Sequence, residues 1–182
     1  MMSIVIATLK ENKCLNLFAD RRMVTENNLG TYSETTEIKK IFELTDSISC
    51  GMTGDAKWGI NLAQELFKYQ DKTASEFIQI IEHFDKPLND HSTFILGGKY
   101  DDGKLFYYGF TTKNKKGGIN FATNALIATS PIEYLNNCSE FFLDLKDEGN
   151  DNIEAAIQTI KFASLQNPKY ISEQYDHIQI KF

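Results

Sequence analysis

Strand-like and helix-like patterns occur in blocks along this chain: several strands, two helices, more strands, two helices and a last strand. A doubly wound parallel sheet would interleave single strands with single helices, so this grouping points to an α+β fold of antiparallel sheets covered by helix pairs. At the start, Ser3 to Leu9 and Cys14 to Asp20 are short apolar runs joined by the polar Lys10-Glu11-Asn12-Lys13, the pattern of a hairpin. Two further runs follow, Lys40 to Leu44 and Ser47 to Cys50, divided by the turn residues Thr45 and Asp46.

The periodicity changes at Asp55, after which Trp58, Leu62 and Leu66, with Ala63 and Phe67 beside them, recur at helical spacing. Thr73 and Glu76 make a capping box for a second helix, whose Phe77, Ile80, Ile81 and Phe84 share one face. Strands return between Ser92 and Thr112, where Asp101-Asp102-Gly103 turns a hairpin, and Ile119 to Ser130 supplies one more. Ser130, Pro131 and Glu133 then combine an N-cap, an N1 proline and a capping-box acid, the start of a third helix. Asp151 with Glu154 opens a fourth, with Ile153, Ala156, Ile157, Ile160 and Ala163 facing the core until Pro168 stops it. The end of the chain alternates Ile178, Ile180 and Phe182 inward against His177, Gln179 and Lys181 outward, a closing strand.

A length of 182 residues suits one domain, 1–182, able to bury about two-thirds of its unfolded surface. The 13 Phe and 8 Tyr favour strands and thick packing. A formal charge of −6 argues against nucleic acid as a partner, because phosphate binding needs clustered cations. The one basic cluster, Lys113 to Gly118, reads as a solvated hairpin tip. The N-terminal residues lack the basic start of a signal peptide, and no run approaches the roughly 18 apolar residues of a membrane helix, so no membrane association and a cytoplasmic location are expected. Cys14, Cys50 and Cys138 sit far apart among apolar neighbours and read as buried thiols, while His83, His91 and His177 form no metal pattern. Neither a metal nor a cofactor is expected.

The block order, together with Ala19-Asp20-Arg21-Arg22, with Lys40 ahead of an Ile41 strand, and with Gly51-Met52-Thr53-Gly54-Asp55 leading into a helix, resembles the proteasome subunit family and its bacterial relatives, the HslV peptidases. The Gly-rich strand, acidic turn and aromatic strand around Asp101, and the closing strand Tyr175 to Ile180, are similar to the family as well. The resemblance covers most of the chain. It implies a four-layer αββα sandwich, self-assembly into homo-oligomeric rings, an ATP-dependent unfoldase as partner, and hydrolysis of peptides or unfolded protein by an N-terminal nucleophile.

In that chemistry the first residue's hydroxyl attacks a peptide carbonyl while the free α-amine or a bound water takes its proton. An amine of pKa near 8 is a usable base, and a nearby ammonium lowers it further. The resemblance gives the ammonium to Lys40 and its anchor to Asp20, with Arg22 in structural support. Gly51 matches the oxyanion position and Ser130 the serine that supports the nucleophile, while Ser49 and Thr53 border the expected pocket. The pattern departs from the family in three places. Met2 stands at the nucleophile position, with Ser3 one place later. A start at Met2 would lose its methionine and expose Ser3, which is therefore the expected nucleophile. Ser130 stands alone where the family has a Gly-Ser-Gly-like turn, and Asn167 and Tyr170 replace an Asp and a Ser. Two alternatives follow: a proteasome-fold subunit that assembles or binds without cleaving, and an N-terminal-nucleophile amidase acting on a small molecule.

Overall fold

A computed structural model describes residues 3–10, 13–26, 33–85, 92–113, 116–130 and 135–182. The initial hairpin forms as β1 (Ser3–Lys10) and β2 (Cys14–Asp20), and a two-stranded ribbon, β3 (Arg22–Glu26) and β4 (Ser33–Glu37), follows it. Next come β5 (Ile41–Thr45), β6 (Ile48–Thr53) and the helices α1 (Ala56–Phe67) and α2 (Ala74–His83). The second half runs β7 (Thr93–Lys99), β8 (Leu105–Thr111), β9 (Lys116–Asn120), β10 (Asn124–Ser130), α3 (Leu135–Asp147), α4 (Asn152–Gln166) and β11 (Tyr175–Lys181).

Beside the ribbon there are two larger sheets, with strand orders β10-β1-β2-β11 and β5-β6-β7-β8-β9, and every pairing is antiparallel. Strand pleating sorts their side chains between faces. From β1, Val5, Ala7 and Leu9 enter a cluster with Leu15, Leu17, Ile41, Ile95, Ile178 and Ile180 from both sheets. Ile4 and Ile6 point the other way, into a cluster with Phe18 and residues of α3 and α4. A third cluster packs α1 and α2 on the five-stranded sheet through Leu62, Leu66, Phe77, Phe94 and Phe106. Each fully buried large side chain here contributes roughly 1.5–3 kcal/mol.

The helix starts obey the capping signals. Asp55 accepts from Trp58 N–H, Thr73 and Glu76 complete their reciprocal box, and Asp151 accepts from the N–H groups of Ile153 and Glu154. The start expected at Ser130, Pro131 and Glu133 falls largely outside the described residues.

Several expectations need correction. The β3–β4 ribbon was not anticipated: its sequence is polar and it is held by ladder hydrogen bonds, with Val24 the buried residue among its described side chains. The segment from Ile119 to Ser130 holds parts of two strands, and the basic cluster runs into edge strand β9. On α4, Ile153 and Ile157 are only half-buried, whereas Ala155, Thr159 and Ser164 are buried, so the packed face is rotated towards small residues. Phe182 is 62% exposed beyond the end of β11. Cys50 and Cys138 are buried thiols, but Cys14 is half-exposed.

Candidate active site

Asp20 ends β2, and Lys40 stands just before β5. The Lys40 ammonium lies 2.8 Å from Asp20 Oδ1 and donates to the Arg22 carbonyl oxygen at 2.6 Å. Asp20 is wholly buried and Lys40 is 2% exposed. Three backbone groups complete the carboxylate's shell. Ile4 N–H donates to Oδ1 at 2.9 Å, while Arg22 N–H and Ser172 N–H donate to Oδ2 at 2.9 and 3.4 Å. One acid therefore ties β1, β3 and the segment before β11 to the lysine.

Burial dominates the electrostatics of this pair. Loss of water pushes the Asp20 carboxyl above the ordinary carboxylate range, against the opposing pull of the Lys40 charge and of the N–H donors. The same desolvation pulls Lys40 below the ordinary lysine range, partly offset by Asp20. Such a pair adds little net stability, yet breaking it strands a buried charge.

Ser3 opens β1, with the whole residue buried and its Oγ lacking any hydrogen-bond partner. Pleating turns its side chain to the face shared by Val5 and Ala7, between the sheets. There it lines a pocket with Ile38, Lys40, Met52, Thr53, Gly54, Asp55 and Ala56. The interior is about 10 Å³, room for one water molecule. Thr53 contributes a second hydroxyl that is buried and unpartnered.

The remaining expected residues are distributed around this pocket. Ser130 pairs with Ser3 across β10 and β1, backbone against backbone. Gly51 lies mid-strand, paired to Ile41 and Ile95, because β6 continues to Thr53 instead of ending at Cys50. A side chain there would meet Ile41 Cγ2 at 2.9 Å and Val5 Cγ1 at 3.0 Å, so this glycine serves close approach of the sheets. The glycine that lines the pocket is Gly54, at the turn into α1, with φ of 90°. Ser49 is buried with an unpartnered hydroxyl, but does not line the pocket. The Arg22 guanidinium donates to the Pro168 carbonyl, and its Nε is buried without a partner.

Two contributors escaped the sequence reading. Ser172 reaches Asp20 from 152 positions away and receives the Gln174 N–H on its hydroxyl at 3.1 Å. Only its place shortly after the fourth helix could have flagged it. Gly54 belongs to the Gly51-Met52-Thr53-Gly54-Asp55 stretch, and the length of β6 decides which of its two glycines lines the pocket.

Among the described residues no group of His, Cys, Asp and Glu is arranged to hold a metal, and no helix is long and apolar enough to cross a membrane.

No family model matches this chain, and no curated protein matches it by sequence. Its fold is nevertheless shared with solved structures. It is similar to eukaryotic HslV from Trypanosoma brucei, with 13% identity, a TM-score of 0.71, and coverage of 98% of this chain and 99% of that one. It is also similar to the Anbu complex from Pseudomonas aeruginosa, solved as a helical assembly. There the identity is 8% and the TM-score 0.67, covering 100% of this chain and 84% of that one. The chain has an HslV-like, proteasome-type fold.

Proposed function

We propose that this chain is an N-terminal-nucleophile hydrolase of the proteasome/HslV type, acting on peptide bonds through Ser3 once the bond preceding Ser3 has been cut. The observation that carries this reading is the Ser3 hydroxyl. It is buried and unpartnered, on a residue that lines a pocket together with a lysine that an aspartate holds in place. An unsatisfied buried hydroxyl costs about 1–3 kcal/mol, and a catalytic role is one reason a fold keeps such a group.

The reaction follows from the residues present. Ser3 Oγ attacks the carbonyl carbon of a peptide while its proton passes to the freed α-amine of Ser3. Lys40, held as the ammonium by Asp20 and the Arg22 carbonyl, disfavours a second positive charge and keeps that amine neutral. The negative oxygen that develops is received at the Gly54 turn, where the missing side chain lets backbone N–H groups approach. The C–N bond then breaks with the proton delivered to the leaving amine, and water hydrolyses the Ser3 ester. This chemistry calls on no metal or cofactor.

The three apolar clusters support a four-layer αββα arrangement in a single domain. The likeness to the Anbu complex, a helical assembly, supports a homo-oligomer; closure into a ring, a cytoplasmic location, and supply of peptide or unfolded protein by an ATP-dependent unfoldase rest on the family resemblance of the sequence alone.

A second reading, a non-cleaving subunit, is favoured by one observation. Asp20 also binds Ile4 N–H, so the ion pair serves as a pin between strands whether or not Ser3 reacts. Intact mass and N-terminal sequencing of the purified protein, with fluorogenic-peptide turnover, separate the two. A chain beginning at Ser3 whose turnover vanishes in Ser3→Ala supports the peptidase. A chain that keeps the residue before Ser3 and turns over nothing supports the pin.

A further inference from the structure

Helix α3 packs against β10, the outermost strand of the four-stranded sheet, and the two leave an open space between them. Its interior is about 390 Å³, and it shares no lining residue with the pocket beside Ser3. Both walls contribute small side chains, Ala125 from the strand and Ser139 from the helix, so packing does not close the gap. Ile127, Phe142 and Leu143 supply an apolar lining, and Leu143 stays 60% exposed. That volume falls within the range of small-molecule sites, roughly 300–1,000 Å³, where apolar walls carry a few fixed polar groups.

The one charged residue lining this space is Lys146, in the last turn of α3. Its ammonium is tethered. The helix closes on Gly149, with φ of 93°, as the Gly149 and Asn150 N–H groups donate back to the Lys146 and Leu145 carbonyls at 3.0 Å each. Past that closure the Asn150 carbonyl accepts from Lys146 Nζ at 2.6 Å. Two of the ammonium's three N–H donors remain, and among the described residues no carboxylate forms an ion pair with it. The acid beside the space, Asp151, already accepts from the Ile153 and Glu154 N–H groups.

We infer that this space is a binding site for a small monocarboxylate with an apolar body: the carboxylate pairs with the Lys146 ammonium, and the body covers Ile127, Phe142 and Leu143. A wholly apolar occupant would desolvate the ammonium without pairing it, and a cation would meet a like charge. A dianion would bring a second charge that no lining residue answers. Fatty acids and aromatic acids share the chemistry that fits.

Calorimetric titration of the full chain with decanoate, kept below its micelle concentration, and with cinnamate tests this, with decanol as the uncharged comparator. The readout is binding, so it stands whether or not Ser3 is a nucleophile. The variants are Lys146→Met, Lys146→Arg and Ser139→Phe, each checked by thermal melting; the two Lys146 variants carry the test if Ser139→Phe does not fold. The expected result is saturable binding of one or both acids to the wild type, about tenfold weaker in Lys146→Met, the weight of a charge-assisted hydrogen bond. Lys146→Arg should restore most of the affinity, and a folded Ser139→Phe, whose ring fills the space, should bind neither acid. Decanol should bind the wild type more weakly than decanoate does, and Lys146→Met no worse than the wild type. Binding of decanoate without cinnamate names a fatty acid as the ligand and the reverse names an aromatic acid; either result supports the inference. Failure of both acids to bind the wild type, undiminished affinity in Lys146→Met, or binding of decanol as tight as that of decanoate would overturn it.

Discussion

Lys40 Nζ and Asp20 Oδ1 stand 2.8 Å apart with both side chains removed from water. The two partners are unequal in what they hold. Lys40 satisfies one carboxylate and one carbonyl, whereas Asp20 also gathers backbone N–H groups from Ile4, Arg22 and Ser172. Replacing either partner alone therefore costs about 3–5 kcal/mol, because a buried charge loses its counter-charge. Asp20→Leu is expected to be worse than Lys40→Met, since it strands three N–H groups as well as the ammonium. Urea unfolding of the two single variants and the double variant checks this. The double variant should recover only the charge part of the loss.

Ser3→Ala is expected to behave in the opposite way on stability. Its hydroxyl has no partner to lose, so the variant should match or exceed the wild type by about 0–1 kcal/mol in the same unfolding assay. Peptide turnover should disappear. Loss of activity together with loss of stability would mean that the hydroxyl is held by a bond.

The two glycines of the Gly51-Met52-Thr53-Gly54 stretch should separate cleanly. Gly51→Ala forces a methyl group against Ile41 and Val5, an overpacking cost of about 1–3 kcal/mol, with kcat kept in the folded fraction. Gly54→Ala imposes positive φ on a residue with a side chain, about 1–2 kcal/mol, and crowds the pocket where the oxyanion is proposed to form. Its kcat should fall well beyond what stability explains. Thermal melts paired with turnover assays distinguish the two.

Acid sensitivity should be traceable in part to the start of α2. Bonds from Lys72, first, and then from the Thr73 backbone hold the Glu76 carboxyl down to about 2. A depressed acid stabilises the fold above its ordinary pKa, and that contribution is lost as pH falls through the window from about 4.5 to about 2. Glu76→Gln should therefore flatten the decline of the urea midpoint across this window and leave the rest of the pH profile unchanged.

The sequence made three of the helix starts and most strands legible because caps and pleats are local signals. Asp55, Thr73 and Asp151 all cap as their neighbours require. Asp20 and Lys40 were legible for another reason: each interrupts or borders an apolar run where a charge has no cheap place. Ser172 was not, since a backbone N–H can satisfy a distant carboxylate from any residue type except proline. The ribbon of β3 and β4 was missed because ladder hydrogen bonds leave no trace in a polar sequence. Gly51 is the glycine the family resemblance selects, and a strand ending at Cys50 would put it in the turn. Three more paired residues move the turn, and with it the wall of the pocket.

Strand β1 lies between β10 and β2 in its sheet. Polypeptide ends ordinarily fray, exchanging their amide hydrogens freely with solvent. A terminus created at Ser3 would instead begin on an interior strand, bracketed from its first residue by Ser130 on one side and from Val5 onward by β2 on the other. Its amides would exchange only when the whole sheet opens. A newly made chain end held this way needs no docking before it reacts, and its orientation survives each turnover.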